Sequence, residues 1–295
     1  MYWNDLNTAL KERYGTKVYK LSLSSGCSCP NREGGRGGCI FCDGAGAFAA
    51  AGDIPSQLRT AKTRVAAKAG PNAKYIAYFQ SFTNTYGDVE VLERLFREAM
   101  APEDIVALSI ATRPDCLGED VMAMLKRLSA VKPLWVELGL QTIHPESAAY
   151  IRRGYDLSVF DQAVKKLRGI GAEVIVHQIL GLPGETAEMM AQTARYIGES
   201  GATGVKFHLL HVLRGTDLAG DYEAGKFEVM TLEAYIAALE TCVRVVPRDM
   251  VIHRLTGDGA KRDLIAPLWS GDKKRVLNAI RTAFREHDME QGSLL

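Results

Sequence analysis

The sequence contains no long apolar run and no excess of charge of either sign. No stretch approaches the roughly 18 uninterrupted apolar residues of a helix that crosses a bilayer. Its 36 lysines and arginines nearly balance 35 aspartates and glutamates, for a net charge of +1. Such a charge gives no long-range attraction to nucleic acid or to an acidic membrane, so any contact with RNA would require a local basic patch.

The sequence also shows no leader pattern, no internal repeat and no low-complexity linker. Its first residues include no basic segment followed by an apolar run, which is the pattern of a secretory signal. Of six cysteines, four lie between residues 27 and 42, unlike the spread-out cysteines of a disulfide-stapled secreted domain. We therefore expect a cytoplasmic protein without a membrane anchor, in which the crowded cysteines bind metal.

Short β-rich segments, each followed by a segment with helical periodicity, predict an α/β fold built from β/α units. The expected strands are residues 18–23, 75–79, 106–110, 135–140, 173–179 and 204–210. The expected helices include residues 89–100, 120–129, 157–170, 186–200 and 232–246. These six units are fewer than the eight of a closed barrel. We therefore predict a partial (βα)6 TIM-like barrel with a wide lateral opening.

The segment after the sixth unit lacks this alternation. Residues 251–269 are expected to be irregular, and residues 273–287 are expected to form a basic amphipathic helix that covers the barrel. We accordingly divide the chain into a barrel domain, residues 1–250, and a small C-terminal extension, residues 251–295.

A glycine-rich cysteine loop, residues 26–42, directly follows the first expected strand. Thiolates favour an iron-sulfur cluster or zinc, and glycines let the backbone fold tightly around such a centre. All four cysteines of the loop would make a zinc site, although the single residue between Cys27 and Cys29 is a tighter spacing than usual. Three of them, Cys29, Cys39 and Cys42, would instead hold a 4Fe-4S cluster with one iron left open.

A series of motifs runs from this loop almost to the end of the chain. The loop contributes Cys29-Pro30-Asn31-Arg32 and Gly37-Gly38-Cys39-Ile40-Phe41-Cys42. Later motifs are Ala111-Thr112-Arg113-Pro114-Asp115-Cys116, Glu137-Leu138-Gly139-Leu140-Gln141-Thr142, Arg153-Gly154, Gly181-Leu182-Pro183-Gly184-Glu185-Thr186, Lys206-Phe207-His208-Leu209-Leu210-His211, His253-Arg254-Leu255-Thr256-Gly257-Asp258 and Ala266-Pro267-Leu268-Trp269. Together they resemble the YhcC-like family of the radical S-adenosylmethionine (SAM) superfamily, which is related to the catalytic subunit of Elongator. The loop departs from that family in being slightly shorter, with Glu33 where aspartate is common and Cys27 where a non-ligand residue is usual.

The resemblance implies two cofactors. A 4Fe-4S cluster would be held by Cys29, Cys39 and Cys42, and its open iron would bind SAM. An electron from the cluster, supplied by a donor such as flavodoxin or ferredoxin, would cleave SAM to a 5′-deoxyadenosyl radical. The residues implied in binding SAM are Phe41, Gln80, Arg113, Glu137, Gln141, Gly181, Leu182, Pro183 and Gly184.

The chemistry of these residues suits the implied roles. Glu137 and Gln141 would hydrogen-bond the ribose hydroxyls, and Arg113 would pair with a carboxylate. Phe41 would pack beside the adenine ring, and the glycines at 181–184 would allow the backbone to approach it closely. Taken alone, a Gly-Leu-Pro-Gly segment is more often an ordinary β/α turn, so it is the joint order of these residues that favours a SAM site.

The substrate is less defined than the cofactors, and no catalytic residue is assigned from the sequence. The relation to Elongator implies a modified wobble uridine in tRNA, with the radical acting on its 5-substituent, and a separate methyltransferase is a further candidate partner. A protein or small-metabolite substrate and a non-enzymatic zinc protein are the alternatives. Three histidines near expected strand ends, His177, His208 and His211, are candidates to face the cavity.

A basic group near the C-terminus is the candidate contact for RNA. Its members are Lys261, Arg262, Lys273, Lys274, Arg275, Arg281 and Arg285. These cations could meet phosphates beside the barrel mouth. The alternative is a solvated helix face, because such basic faces are common and the net charge of the chain is close to zero.

Overall fold

The computed structural model describes residues 2–35, 37–44, 49–257, 259 and 261–295. The strands in these ranges are β1 Val18–Leu23, β2 Lys74–Phe79, β3 Ile105–Thr112, β4 Leu134–Gln141, β5 Glu173–Leu180, β6 Gly204–Leu209, β7 Val212–Leu213, β8 Val251–Arg254 and β9 Leu264–Ala266. The helices are α1 Leu6–Tyr14, α2 Ile54–Val65, α3 Val89–Met100, α4 Glu119–Ser129, α5 Pro145–Tyr150, α6 Leu157–Gly169, α7 Ala187–Glu199, α8 Asp217–Glu223, α9 Leu232–Arg244 and α10 Lys273–Glu286.

Seven parallel strands form the central sheet, in the order β1-β2-β3-β4-β5-β6-β8. The sheet curls into a half-barrel with helices around it, so the predicted partial TIM-like barrel is confirmed. Amphipathic helices such as α3 pack their apolar stripe, here Leu92, Phe96 and Met100, into the main core against the sheet. None of the helices in the described ranges is long and apolar enough to cross a membrane.

The seventh strand lies where the sequence predicted irregular structure. Val251–Arg254 pairs with β6, and Leu264–Ala266 pairs with β7, so the prediction for residues 251–269 is wrong over both segments. These strands have four and three residues, too few to show the alternation by which longer strands are recognised. The division at residue 250 stays a prediction, although the residues directly after it belong to the sheet.

Helix α1, which the sequence analysis did not predict, covers the amino ends of the strands. Leu10 of α1 packs in one apolar cluster with Val18, Ile76 and Trp135, which lie near the amino ends of their strands. The segment before α1 runs along the edge of β8, where the backbones of Asp5 and Ile252 form a parallel bridge. The amino end of the half-barrel is therefore filled with apolar side chains, and the carboxyl end is left for a functional site.

Candidate functional site

A cavity of about 400 Å³ lies at the carboxyl ends of the strands. Parallel strands bring residues that are distant in sequence to this one rim. The predicted site residues that line the cavity are Cys29, Cys39, Phe41, Cys42, Gln80, Arg113, Glu137 and Gln141, and His177 lines it as well. The predicted residues at 181–184 do not line it.

Asn31 holds the cysteine loop at the edge of this cavity. Its Nδ2 donates to the carbonyl oxygen of Arg152 at 2.7 Å and lies 3.5 Å from Sγ of Cys39. Gly154 makes this approach possible, since it has a φ of +82° and a Cβ there would lie 2.8 Å from Oδ1 of Asn31. The Asn-Arg and Arg-Gly motifs, which are far apart in sequence, therefore support each other.

The thiols that line the cavity fit the implied cluster better than a single zinc ion. Arg32 places Nη1 3.5 Å from Sγ of Cys42, and hydrogen bonds to sulfur are characteristic of cluster thiolates. Cys27 does not line the cavity; its Sγ lies 3.5 Å from the position of a Cβ on Gly87, and it packs against the main core. Among the described residues, no three His, Cys, Asp or Glu side chains converge as ligands of one metal ion would. Cluster thiolates bind different irons, so they need not converge.

Gln141 presents an unpaired acceptor at this site. Its backbone has a φ of 70°, which is uncommon outside glycine, and its side chain folds back so that a Cβ on Gly139 would lie 2.9 Å from Nε2. Oε1 of Gln141 is buried and has no hydrogen-bond partner. A buried acceptor without a partner is costly, and a hydroxyl or ammonium donor of SAM would satisfy it.

Arg113 also lines the cavity, but its guanidinium already has a carboxylate partner. It forms two hydrogen bonds with Asp115, at 2.9 and 2.7 Å, and lies 5.3 Å from the ring centroid of Tyr155. Tyr155 is fixed in turn by its hydroxyl, which donates to the carbonyl of Gly139. The predicted pairing of Arg113 with the carboxylate of SAM stays a prediction, and it would require the guanidinium to be shared with Asp115.

Glu137 lies at the floor of the cavity with its carboxylate fully buried. Its Oε1 accepts from Nζ of Lys20 at 2.8 Å and from Ser109 at 2.9 Å. Its Oε2 accepts from Tyr78 at 2.8 Å, and also from Lys206. With His177 as a further donor to Oε2, both oxygens are saturated within the protein. The predicted bond from Glu137 to a ribose is untested and would have to displace one of these donors.

Burial and the charges around Glu137 shift the pKa values of Glu137, Lys206 and His177. Burial alone would raise the pKa of Glu137, but Lys20 and Lys206 hold it well below its usual range. Burial lowers the pKa of Lys206 to about 7 against the attraction of Glu137. Burial likewise lowers the pKa of His177 to about 4, although the bond to Glu137 opposes the shift. At neutral pH Glu137 is therefore anionic and His177 is neutral.

Glu137 and its hydrogen-bond partners form a polar layer between the apolar amino end of the half-barrel and the cavity. The partners are Lys20, Tyr78, Ser109, His177 and Lys206. Of its members, the sequence analysis did not single out Lys20, Tyr78, Ser109 or Lys206. The available signal was a lysine at a single position of an otherwise β-rich strand, as in residues 18–23 and 204–209. A lysine in a strand that is covered on both faces has to meet an opposite charge inside the fold.

The residues at 181–184 line a second cavity, of about 580 Å³, together with Met190 and Met230. Leu182 is buried, and Gly181 adopts a φ of +88° with Met230 packed directly over it. The structure therefore does not bring this turn to the cavity of the cysteines. Its role in binding SAM stays a prediction.

The three candidate histidines have different surroundings. His177 faces the cavity, and its ring packs against that of His208 with 4.9 Å between centroids. The imidazole of His208 has a buried Nε2 without a hydrogen-bond partner. His211 lies elsewhere, against Gly257 and Gly259, where a Cβ would approach its ring to 2.8 and 2.9 Å. Only His177 among the three lines the cavity in the described part of the chain.

Comparison of the sequence with known proteins shows the family to which the chain belongs. The sequence pattern of the Radical SAM superfamily matches residues 26–197, and that of the Radical_SAM C-terminal domain matches residues 202–286. The chain is 42% identical to YtqA of Bacillus subtilis, covering 98% of this chain and 92% of YtqA. It is 36% identical to YhcC of Escherichia coli, covering 97% of this chain and 93% of YhcC.

More distant similarity extends to enzymes of tRNA. A tRNA uridine(34) acetyltransferase of Methanocaldococcus jannaschii is 30% identical over 52% of this chain, which corresponds to 28% of that protein. The structure of Elp3 from Methanocaldococcus infernus superimposes with a TM-score of 0.72 at 19% identity, covering 93% of this chain and 64% of that one. The superfamily uses a 4Fe-4S cluster and SAM, so both expected cofactors are confirmed. The chain belongs to the radical SAM superfamily, among the relatives of YhcC and YtqA.

Proposed function

We propose that this radical SAM enzyme acts on a modified wobble uridine in tRNA, at the 5-substituent of the base. The observation that supports the radical chemistry is one cavity that combines Cys29, Cys39 and Cys42 with the unpaired acceptor of Gln141. The choice of tRNA is supported by the similarity of about half the chain to a tRNA uridine(34) acetyltransferase.

The proposed cofactor site assigns a role to each wall of the cavity. When bound, the cluster would supply the electron for the reductive cleavage of SAM. Cys29, Cys39 and Cys42 hold the cluster, and Gln141 accepts a hydrogen bond from SAM. Phe41 packs beside the adenine, and Gln80 and Arg113 contact the polar groups of SAM. The enclosing walls exclude water and competing C–H groups from the radical.

The remaining proposed residues stand further from this site. Glu137 acts through the polar layer that it holds together, because its oxygens already have partners in the fold. The turn at 181–184 reaches SAM only if SAM extends from the cysteine cavity to the second cavity. An external donor such as flavodoxin or ferredoxin reduces the cluster. The thiols of the loop suit a reducing compartment, which is consistent with a cytoplasmic reaction.

The experiment has a cofactor arm and a substrate arm. The protein is purified anaerobically, its iron is measured, and release of 5′-deoxyadenosine is followed after addition of SAM and a reductant. A triple variant, Cys29→Ala with Cys39→Ala and Cys42→Ala, is the matched control and should lose both iron and 5′-deoxyadenosine. Normal release by the triple variant would overturn the radical assignment.

For the substrate arm, nucleosides from tRNA of a deletion strain are compared with those of the parent and of a strain complemented with the triple cysteine variant. The proposal predicts that the wobble-uridine modification of the parent is altered in the same way in the deletion strain and in the variant strain. Identical nucleoside profiles in all three would overturn the tRNA assignment and favour a protein or metabolite substrate, while leaving the radical assignment intact.

A further inference from the structure

A groove of about 670 Å³ lies between the amino-terminal segment, β8 and α10. It shares no lining residue with the cysteine cavity. From α10 it receives Lys273, Leu277, Arg281 and Arg285, which follow one another at intervals of four residues. That interval places side chains on one face of a helix, so the three cations form a row along the groove.

The structure divides the basic residues near the C-terminus into two groups. Lys273, Arg281 and Arg285 line the groove, whereas Lys274 and Arg275 on the same helix do not. The neighbouring face of α10 carries Val276, Ile280 and Phe284, which are buried in the core. The groove cations are therefore held in place by a helix that is anchored to the rest of the fold.

Four basic side chains and one acidic side chain line the groove in the described part of the chain. Arg254, at the carboxyl end of β8, adds a fourth cation to the row from α10. Asp5 is the one acidic residue among the described lining residues. Its carboxylate caps α1, accepting from the N–H of Asn7 at 3.0 Å and from the hydroxyl of Thr8 at 2.6 Å. Neither Arg281 nor Arg285 forms an ion pair with any residue in the described ranges, and both are exposed.

Two aromatic side chains line the same groove. Tyr2 and Trp3 come from the amino-terminal segment, some 270 residues or more before α10 in the sequence. The ring of Trp3 packs edge-on against Phe284, with 5.4 Å between centroids, which fixes its position beside the cations. A row of cations with adjacent aromatic rings is the arrangement by which proteins bind single-stranded nucleic acid, since phosphates meet the cations and bases stack on the rings.

We propose that this groove binds a single-stranded segment of RNA, with phosphates against Arg281 and Arg285 and a base against Trp3. The inference rests on the proposed function for its choice of RNA, and it adds a defined binding surface outside the cofactor cavity. The aromatic rings favour a single strand over a duplex, whose bases are stacked on each other and inaccessible. They also favour it over an acidic peptide, which has no base to stack.

The test is a fluorescence anisotropy titration of a labelled single-stranded RNA dodecamer against the intact protein at two salt concentrations. The double variant Arg281→Glu with Arg285→Glu should bind about tenfold more weakly or worse, with the slope of log K against log salt reduced by about 1.4. The control is Lys274→Glu with Arg275→Glu, which makes the same change of charge on the same helix outside the groove. It should retain affinity within about threefold of wild type. Arg281→Lys with Arg285→Lys keeps the charge and should retain most of the affinity.

The outcomes separate the groove from the proposed function. Equal losses in the groove and control variants, or no binding of the dodecamer by wild type, would overturn the groove. Displacement of the RNA by polyglutamate as readily as by unlabelled RNA would overturn it as well. Release of 5′-deoxyadenosine without RNA is measured in parallel and should be the same in all variants. The radical assignment therefore stands or falls on that measurement and not on RNA binding.

Discussion

The carboxylate of Glu137 accepts a hydrogen bond from Nε2 of His177, with 2.9 Å between Nε2 and Oε2. The imidazole is partly exposed to the cavity, with 18% of its side chain accessible, whereas the carboxylate has no exposure. Because an ionised carboxylate only accepts, the Nε2 of His177 carries the hydrogen and its Nδ1 remains an acceptor. The polar layer thus sets the tautomer of the one histidine in the described chain that lines the cysteine cavity.

Replacing Glu137 should destabilise the whole fold. Glu137→Gln removes the negative charge that compensates the buried cations Lys20 and Lys206, and breaking a buried ion pair on one side typically costs about 3–5 kcal/mol. We expect a loss of this size in the free energy of unfolding, measured by urea denaturation. The double variant Glu137→Gln with Lys206→Met should recover part of it, because the uncompensated ammonium is removed. An unchanged urea midpoint in Glu137→Gln would contradict the central place of this carboxylate.

Mild acid should weaken the protein through three partly buried histidines, His177, His208 and His253. Burial lowers the pKa of His177 to about 4, and it lowers those of His208 and His253 well below 6.5. The unfolded chain then binds more protons than the folded chain between about pH 7 and 4, so stability falls as the pH falls. Lys206 and Arg254 face these rings and oppose their protonation, whereas Glu137 favours it.

The size of this effect follows from the pKa of one residue. Between pH 7 and 5, His177 alone should cost about 2 kcal/mol of unfolding free energy. Glu137 contributes little in this window, because its folded pKa and the ordinary pKa of an unfolded glutamate both lie below pH 5. Urea midpoints at pH 7 and 5 measure the loss. His177→Gln, whose amide still donates to Glu137 but does not titrate, should show a smaller loss, and an equal loss in both proteins would exclude His177 as a source.

Iron binding should distinguish the four cysteines of the loop. Alanine at Cys29, Cys39 or Cys42 should abolish assembly of the cluster, because each removes one of three thiolates. Cys27→Ala should keep most of the iron, since its thiol packs toward Gly87 and the core. Iron per chain after anaerobic reconstitution is the measurement. Comparable loss in Cys27→Ala would refute the three-ligand assignment and revive a four-thiolate site.

The elements that could be predicted are those with a strong local signal. Strands β1 to β6 are long enough to show as apolar runs between helical segments, and the cysteine loop carries its chemistry in adjacent residues. Gln141 was implied only by the resemblance to the family, through the motif that ends in Gln141-Thr142. Helix α1 also has a local signal in the sequence, namely the cap residues Asp5 and Gly15 at its two ends.

The elements that could not be predicted depend on contacts between distant parts of the chain. Lys20 and Lys206 meet at Glu137 only once the sheet has curled. The residues next to either lysine in the sequence do not indicate that Glu137 is its partner. The turn at 181–184 shows from its sequence that the chain reverses there, but not which cavity it lines. The aromatic partners of the groove cations come from Tyr2 and Trp3, so they could not be seen as interleaved in the sequence.

Removing the side chain of Gln141 should weaken SAM binding without weakening the fold. Its φ of 70° strains any residue except glycine, asparagine and a few others. Gln141→Gly therefore relieves strain, and the free energy of unfolding should stay the same or rise. The same change deletes Oε1, the buried acceptor for which SAM is the proposed partner. Loss of about one to two hydrogen bonds corresponds to roughly a tenfold rise in the dissociation constant of SAM.

The measurement is equilibrium dialysis of SAM against protein with its cluster assembled, under anaerobic conditions. Gln141→Asn is the matched variant, because asparagine tolerates positive φ but its shorter amide no longer reaches the same point. It should fold normally and also bind SAM more weakly. Urea midpoints and iron per chain, measured for both variants, distinguish a rise in the dissociation constant from misfolding and from loss of iron. Unchanged SAM affinity in both variants would place the SAM site away from the carboxyl end of β4.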